Sequence, residues 1–258
     1  MKKKKLHEMN VDEWFEVFLD VYKSDRNKDT VSGYISRYNK FISQFIGYLL
    51  IKEVTPVDCQ KIINNMKGYS NNYIHKVYHD LCQLFDKAIW NEVIVVNPAK
   101  RCEIIKGHTT TRTAMPVQAS IRLIQQSLAE GNVFVLLMVL CGLRPHETAL
   151  IQGKDVDGDV LHIRGVKSKY ADRYVPIPEV ACKLFNSFSK DEYLVKSIKG
   201  ESPVTKRMRV KLWNRFKEKY NIDDDVTPYV LRHTYCTGLR DAGVDITVAK
   251  EFMGHSTI

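Results

Sequence analysis

The sequence lacks any apolar run long enough to cross a membrane. Its longest such run, from Val133 to Cys141, falls far short of the ~20 apolar residues that a transmembrane helix needs. The basic start, residues 1–5, leads into neither an apolar stretch nor a cleavage site, so we expect a basic tail rather than a secretory signal. With 44% hydrophobic and 27% charged residues, the 258-residue chain has the composition of a globular protein without a membrane partner.

Paired cysteines and metal-binding motifs are lacking as well. The six cysteines are scattered, with no CxxC pair and none at zinc-ligand spacing from a histidine. There is no glycine-rich phosphate loop and no carboxylate cluster at metal spacing. The sequence therefore favours free thiols in a cytoplasm over a disulfide framework, and it predicts a function that needs no metal, ATP or other cofactor.

Acidic residues are fewer than basic ones. Thirty Asp and Glu residues face 39 Lys and Arg residues, which gives a formal net charge of +9. An excess of this sign indicates a polyanion as partner. Because many basic proteins bind no nucleic acid, the charge narrows the class of partner without identifying it.

The first part of the chain has helical periodicity and no strand-like alternation. The pattern predicts helices over Val11–Tyr22, from Thr30 to about Ile46 after an Asp29-Thr30 cap, after Thr55-Pro56, and over Asn71–Trp90. The outer face of the last helix carries asparagine, histidine, glutamine and lysine. It is either a solvated face or a surface for phosphates and base edges in the major groove of DNA.

A polar, basic stretch predicts a linker at residues 101–112, between a helical domain at 8–100 and a second domain at 113–258. The second domain begins with helices near 115–130 and 133–140, the latter closed by Gly142. Asp157-Gly158 then separates alternating runs at 160–163 and 173–177, which predict a small antiparallel sheet. Further helices are predicted near 180–188, 206–219, 229–242 and 247–253.

Four short segments of the second domain carry residues suited to phosphate chemistry. Gly-Leu-Arg-Pro-His-Glu at 142–147 contains Arg144 and Glu147, with Leu150 expected to return to the core. A lysine-bearing hairpin, Leu-Arg-His-Thr around Arg232, and Met-Gly-His-Ser around His255 follow in that order. Two guanidinium groups can clamp the non-bridging oxygens of a phosphodiester at any working pH.

In this order and at these spacings the segments resemble the tyrosine recombinase family, the integrases of phages and transposons. The match covers about residues 112–258, whereas 8–100 resembles the family's core-binding domain in helical pattern only. The resemblance implies a mainly α fold with a small antiparallel sheet, whose two domains close as a clamp on duplex DNA. It also implies a site-specific recombinase that cleaves and rejoins DNA through a 3′-phosphotyrosyl intermediate, as a homotetramer on its recombination sites.

The resemblance further implies a role for each residue type in the motifs. Two arginines clamp the phosphate, a hairpin lysine protonates the departing 5′ oxygen, and a histidine donates a hydrogen bond to a non-bridging oxygen. These residues are Arg144 and Arg232, then Lys167 with Lys169 as the second choice, and His255. Glu147 is expected to orient Arg144 or to cap a helix.

Two features depart from the family pattern. Tyr229 stands three residues before Arg232, where the family usually has histidine, and a phenol with a pKa of about 10 is a poor base at neutral pH. The family's nucleophilic tyrosine lies further along the chain than the three residues that follow His255. We therefore expect a chain truncated before its nucleophile and inactive in cleavage alone, unless a neighbouring subunit supplies the tyrosine. Tyrosines near the site, without the family spacing, are Tyr170, Tyr174 and Tyr235.

Other functions remain open on the sequence alone. A catalytically inactive fragment would occupy recombination sites without cutting them, and a type IB topoisomerase shares the chemistry. RNA binding has no stacking motif in its favour. DNA contacts are predicted on exposed helix faces, the linker and the hairpin, at Arg37, Lys40, Lys76, Lys87, Lys106, Arg112 and Lys169. Such contacts would make the protein nucleoid-associated in a bacterial cytoplasm.

Overall fold

The computed structural model describes residues 5–109, 113–165, 171–197 and 202–254 of the chain. The chain divides into two compact units, Met1–Thr111 and Arg112–Ile258, and each unit has a hydrophobic core of its own. The described residues are mainly helical and include one three-stranded sheet. No helix within these four ranges combines the length and the apolar character that a membrane crossing requires.

The first unit is built from helices. They are α1 (Val11–Tyr22), α2 (Lys28–Arg37), α3 (Pro56–Asn64) and α4 (Asn71–Trp90), with short 3-10 turns at Leu6–Glu8, Ile51–Glu53 and Pro98–Arg101. Asn10 and Glu13 exchange hydrogen bonds at the start of α1, as Thr55 and Asp58 do at the start of α3. Both pairs satisfy backbone N–H groups that a helix start leaves unpaired. The predicted bounds of α1 and α4 are confirmed.

The second helix differs from its prediction in two ways. It begins at Lys28, because the side chain of Asn27, rather than of Asp29, accepts a hydrogen bond from the first turn at 2.8 Å. Beyond α2 the backbone continues as a π-helix, Tyr38–Gly47, in which each hydrogen bond spans one more residue than in an α-helix. The ring of Tyr38, the first residue of the π-helix, stacks on the ring of Phe15 in α1 at 3.6 Å between centroids. Apolar spacing predicts a helix here but does not specify how its hydrogen bonds are paired.

A lysine lies buried beside the first core. Lys23 follows α1, and its Nζ donates to Gln83 Oε1 at 2.7 Å and to the Tyr34 hydroxyl at 3.2 Å. The ammonium also lies 4.3 Å from the centroid of the Tyr34 ring. These partners offset the cost of removing the charge from water. Gln83, which the sequence places on the outer face of α4, is therefore engaged with another side chain of the unit.

The second unit is built around the apolar helix α6 (Val133–Cys141), which follows α5 (Val117–Ala129). An antiparallel sheet of order β1-β2-β3 comes next, with strands Val156–Asp157, Val160–Ile163 and Arg173–Pro176. The register pairs Leu161 with Val175 and Ile163 with Arg173. The remaining helices are α7 (Glu179–Phe185), α8 (Lys206–Tyr220), α9 (Pro228–Asp241) and α10 (Ile246–Met253). The predicted small sheet is confirmed, with β1 as an addition.

The turn after α6 is fixed by close packing. Every residue of α6 except Leu140 is buried, and the helix ends at Gly142, whose φ of 66° lies in the left-handed region. The ring of Tyr235 from α9 packs so closely on Gly142 that a Cβ there would stand 2.3 Å from a ring carbon. Leu143 is buried next to this contact, and Arg144 leaves the core directly after it.

The prediction that Leu150 returns to the core is wrong. Leu150 is exposed, whereas its neighbours Ala149 and Ile151 are buried. The reason is a 3-10 turn at Glu147–Ala149, which has three residues per turn and so shifts the buried face relative to an α-helix.

We expect Gly142→Ala to destabilise the second unit more than Gly131→Ala does. Both glycines have φ near +60°, at 66° and 61°, so each alanine carries the left-handed strain of about 1 kcal/mol. A Cβ at Gly131 meets nothing within 4 Å, whereas at Gly142 the clash with Tyr235 adds about 1–3 kcal/mol. Urea unfolding followed by circular dichroism measures both losses, and equal losses would contradict the packing described.

Candidate functional site

The site is organised by one buried carboxylate. Glu147 is 7% exposed, and its Oε1 accepts hydrogen bonds from Arg144 Nη1 at 2.7 Å and Arg173 Nη1 at 3.2 Å. Its Oε2 accepts from the Arg144 backbone N–H at 2.7 Å and from Arg173 Nη2 at 2.9 Å. Arg232 Nη1 lies 3.9 Å from the same oxygen. Three guanidinium groups from distant parts of the second unit therefore meet at one carboxylate.

This arrangement changes the acidity of the groups involved. Burial by itself raises the pKa of Glu147, but the hydrogen bonds and charges of Arg173 and Arg144 more than offset it and lower the pKa to about 2. Burial, together with repulsion from Arg144, lowers the pKa of Arg232 to about 10. Glu147 and Arg232 are therefore both ionised at neutral pH. Three guanidiniums against one carboxylate give the cluster a formal net charge of +2.

The same three arginines bind the end of α10. Arg173 Nε donates to the carbonyl of Phe252 at 2.8 Å, and Arg144 Nη2 donates to the carbonyl of Gly254 at 2.9 Å. Between them, Arg232 Nη2 donates to the carbonyl of Met253, and Arg232 Nη1 to the carbonyl of Gly142. The last carbonyls of a helix lack intrahelical partners and carry partial negative charge, which cations stabilise. The chain just before His255 is thus held at the arginine cluster.

The predicted site residues fall into two groups. Arg144, Arg232 and Glu147 are brought together as described, with 26% of the Arg144 side chain exposed to solvent. Lys167, Lys169 and His255 lie outside the described residues, as does Arg112 of the linker. The structure describes the chain up to residue 165 and again from residue 171. The segment that starts at residue 171 leads into β3, which carries Arg173.

Tyr229 lies on the first turn of α9, three residues before Arg232 and 45% exposed. Residues spaced by three share one face of a helix, so this face carries both side chains. Burial lowers the pKa of Arg209 on α8, and the nearby Tyr229 acts in the opposite direction. The phenol therefore lies where it can interact with cations of two neighbouring helices.

Two of the tyrosines considered as nucleophiles are engaged in other ways. The Tyr235 hydroxyl is buried without a hydrogen-bond partner among the described residues, and burial raises the pKa of this phenol above its ordinary value. The Tyr174 ring stacks on His162 at 4.4 Å between centroids. Tyr170 lies outside the described residues. Tyr235 is thus a packing residue beneath Gly142 rather than an activated nucleophile.

Sequence reasoning missed Arg173. Strand β3 alternates between buried and exposed residues, and Arg173 occupies a buried position that it shares with Val175. An arginine on the inner face of an alternating strand is a detectable signal, because a charge is rarely buried without a partner. Its partner, Glu147, is distant in sequence, so the signal does not say what the arginine binds.

The basic residues predicted to contact DNA from the first unit differ in their surroundings. Arg37 pairs with Asp80 at 2.5 Å, and Lys87 lies 3.1 Å from the centroid of the Trp90 ring. Lys40 lies about 5 Å from the rings of its neighbours Phe41 and Tyr69. Lys76 is exposed and lines a surface cavity with Arg37, His75 and His79, and Lys106 is exposed after α4.

Three arginines around one carboxylate, in a mainly helical unit with a small antiparallel sheet, give a positively charged cluster that can attract an anion such as a phosphodiester. Residues 108–258 match the Phage integrase family, and residues 10–67 match the Phage integrase, N-terminal SAM-like domain. The chain therefore belongs to the phage integrase family. This confirms the resemblance that the motifs indicate.

Relatives agree with this membership, and solved structures share the fold. Tyrosine recombinase XerA of Thermococcus kodakarensis is 27% identical over 257 residues, which cover 95% of this chain and 86% of the relative. A Tn1549 transposon integrase in complex with a circular intermediate DNA has a TM-score of 0.82 at 19% identity, covering 96% of this chain and 92% of that one. A lambda integrase tetramer bound to a Holliday junction has a TM-score of 0.78 at 14% identity, covering 97% and 79%. The predicted fold class is confirmed.

The pairing of Glu147 predicts a pH-dependent contribution to stability. Its folded pKa of about 2 lies below the ordinary 4.5, so folding favours the ionised form and the contribution is complete above about pH 4.5. It is lost as the pH falls from about 4.5 towards 2, by about 3 kcal/mol at 1.36 kcal/mol per pKa unit. Urea unfolding of the wild type and Glu147→Gln should show a stability difference that is constant near neutrality and shrinks over this window.

Glu192→Gln is the matched control. Glu192 is a surface carboxylate of the same unit, paired with Lys196 at 2.6 Å, and exposed pairs contribute little. A Glu147→Gln difference that stays constant down to pH 2.5 would contradict a carboxylate stabilised by buried arginines.

Proposed function

We propose that the arginine cluster binds the scissile phosphate of duplex DNA, and that the protein is a site-specific recombinase that cleaves and rejoins DNA strands. The observation that carries this is the convergence of Arg144 and Arg232 on Glu147, in a chain of the phage integrase family. The recombinases among its relatives favour an enzyme over a catalytically inactive fragment that only occupies recombination sites.

The charge of the cluster suits the reaction. A phosphodiester carries one negative charge, and attack on phosphorus concentrates further charge on its non-bridging oxygens. The net +2 of the cluster complements that charge, and guanidiniums bind such oxygens in fixed, directional hydrogen bonds. The Glu147 carboxylate accepts hydrogen bonds from both the backbone N–H and the guanidinium of Arg144. The guanidinium is therefore held in place before DNA binds.

The strand-breaking step follows from the family's chemistry. A tyrosine hydroxyl attacks the phosphorus and releases its proton to water, a 3′-phosphotyrosyl bond forms, and the bond to the 5′ oxygen of the departing strand breaks. Lys167 donates the proton that this oxygen takes up, with Lys169 as the second choice, and His255 donates a hydrogen bond to a non-bridging oxygen. Attack by a 5′-hydroxyl of the partner strand reverses the step and reseals the DNA, so no external energy source is consumed.

Tyr229 takes the place of the family's usual histidine in this proposal. Its position one helical turn before Arg232 supports a hydrogen bond from the phenol to the phosphate. A phenol hydroxyl donates hydrogen bonds readily and is a poor proton acceptor. Tyr229 is therefore a phosphate ligand in this proposal, and general-base catalysis is not assigned to it.

The two parts of the chain have different roles in this proposal. Residues 8–100 form the core DNA-binding domain, 101–112 the linker and 113–258 the catalytic domain. Lys76 on the outer face of α4 is the first choice for a phosphate contact, because it is exposed. Arg37 and Lys87 are weaker candidates, since each already has a partner within the unit. Lys40, Lys106, Arg112 and Lys169 complete the proposed DNA contacts.

Assembly is proposed by analogy. The lambda integrase of similar fold forms a tetramer on a Holliday junction, and strand exchange between two duplexes requires four cleavage events. We therefore propose that this protein assembles as a homotetramer on two recombination sites, in association with the bacterial nucleoid.

The activity is tested with the protein expressed from its complete reading frame and a duplex enriched by it from a random-sequence pool. A nicked version of that duplex should yield a covalent protein–DNA adduct. Arg144→Ala should slow adduct formation about 10²–10³-fold, the usual loss for one preorganised donor to the transition state. Failure to enrich any duplex, or cleavage by Arg144→Ala at the wild-type rate, would overturn the proposal.

Arg240→Ala is the matched control for this assay. Arg240 lies on α9 like Arg232, but 75% of its side chain is exposed and its partner is the neighbouring Asp241. Its replacement should leave the cleavage rate unchanged, and circular dichroism of each variant compares their folding.

The first unit's contribution is tested by salt dependence. Log K falls as log salt rises, and Lys76→Ala should make this fall shallower by about 0.9, the value for one phosphate contact. It should weaken binding to all DNA sequences alike. Lys61→Ala serves as control, since Lys61 is an exposed residue of α3 paired with Asp58 at 3.5 Å. A loss confined to one DNA sequence would assign Lys76 to base recognition instead.

A further inference from the structure

Arg173 uses its donors within the protein. Its side chain is 1% exposed, and a guanidinium has five N–H donors. Nη1 donates to Glu147 Oε1 and to the carbonyl of Ala171 at 3.1 Å, Nη2 donates to Glu147 Oε2, and Nε donates to the carbonyl of Phe252. Four of its five N–H donors are therefore directed at protein oxygens, so little of its hydrogen-bonding capacity is left for DNA.

These contacts join three parts of the site. Arg173 is the first residue of β3. Through Glu147 it reaches the carboxylate that fixes Arg144, and through Phe252 it reaches the end of α10. Glu147 receives a two-pronged contact from Arg173, one nitrogen to each oxygen, which fixes the plane of the carboxylate as well as its position.

We propose that Arg173 is a positioning residue for phosphate binding, which acts by holding Glu147 so that Arg144 and Arg232 face the scissile phosphate. This inference rests on the proposed function. Without Arg173, Glu147 would lose the two-pronged contact and could turn towards Arg144 or Arg232, and the donors of both would be drawn away from DNA. Lysine would keep the charge but not the fork, because an ammonium binds as a single point.

Binding to DNA with one neutral phosphate tests this without requiring cleavage. A methylphosphonate is walked along the enriched duplex until the position is found at which wild-type affinity falls most. Loss of charge-assisted hydrogen bonds there should cost the wild type about 10–100-fold. Arg173→Met should weaken binding to unmodified DNA and leave binding to the methylphosphonate duplex nearly unchanged. The affinity for unmodified DNA divided by that for the methylphosphonate duplex should therefore fall to less than about 3.

Two variants complete the comparison. Arg173→Lys should give an intermediate ratio, and it provides the same test if Arg173→Met does not fold. Arg240→Met, with the same change at an exposed arginine, should keep the wild-type ratio. A positioning role predicts that both Arg173 variants shift the ratio, which a general loss of stability would not do.

The outcomes separate the two proposals. If the wild type discriminates and the Arg173 variants keep the wild-type ratio, the positioning role is wrong. If they weaken both duplexes by the same factor, the effect is on folding or on general DNA affinity, and the inference again fails. If the wild type shows no sensitive phosphate at all, the proposed phosphate-binding function fails first and the positioning role falls with it.

Discussion

The second unit depends on one carboxylate that holds three positive charges together. Arg144, Arg173 and Arg232 repel one another around the carboxylate that they share, and removing them from water carries a further cost. Glu147 offsets both, because each of its oxygens accepts hydrogen bonds from arginines and the buried pair with Arg173 fixes its plane. The same hydrogen bonds and charges lower the pKa of this carboxyl to about 2. A positive cluster can therefore exist in advance of any DNA.

Much of this unit could be predicted from the sequence, because its elements are local. The apolar run of α6, the left-handed Gly142 and the alternating strands each follow from short-range chemistry, and the motifs of the family locate Arg144 and Arg232. The role of Arg173 could not be predicted in the same way. Its position on the inner face of β3 is a local signal, but its partners Glu147 and Phe252 are joined to it only by the tertiary fold.

The first unit shows a different limit. Periodicity identifies the outer faces of its helices correctly, and Lys76 is exposed as expected. It does not indicate which charged side chains are used inside the unit. Arg37 is held by Asp80 and Lys23 by Gln83, and both pairs join helices that are far apart in sequence. The π-helix that follows α2 could not be predicted either, because an apolar stripe is compatible with more than one pattern of backbone hydrogen bonds.

The carbonyls of residues 252–254 have a consequence for how the site comes into being. Their hydrogen bonds to Arg173 and Arg144 close loops of 79 and 110 residues, and the bond from Arg232 to Gly142 closes one of 90. Contacts of such high sequence separation form late, because the entropy of loop closure opposes them until the surrounding core is in place. During synthesis the arginine cluster therefore cannot be completed before residues 252–254 have left the ribosome. The arginine cluster is thus completed only after the core of the second unit has formed.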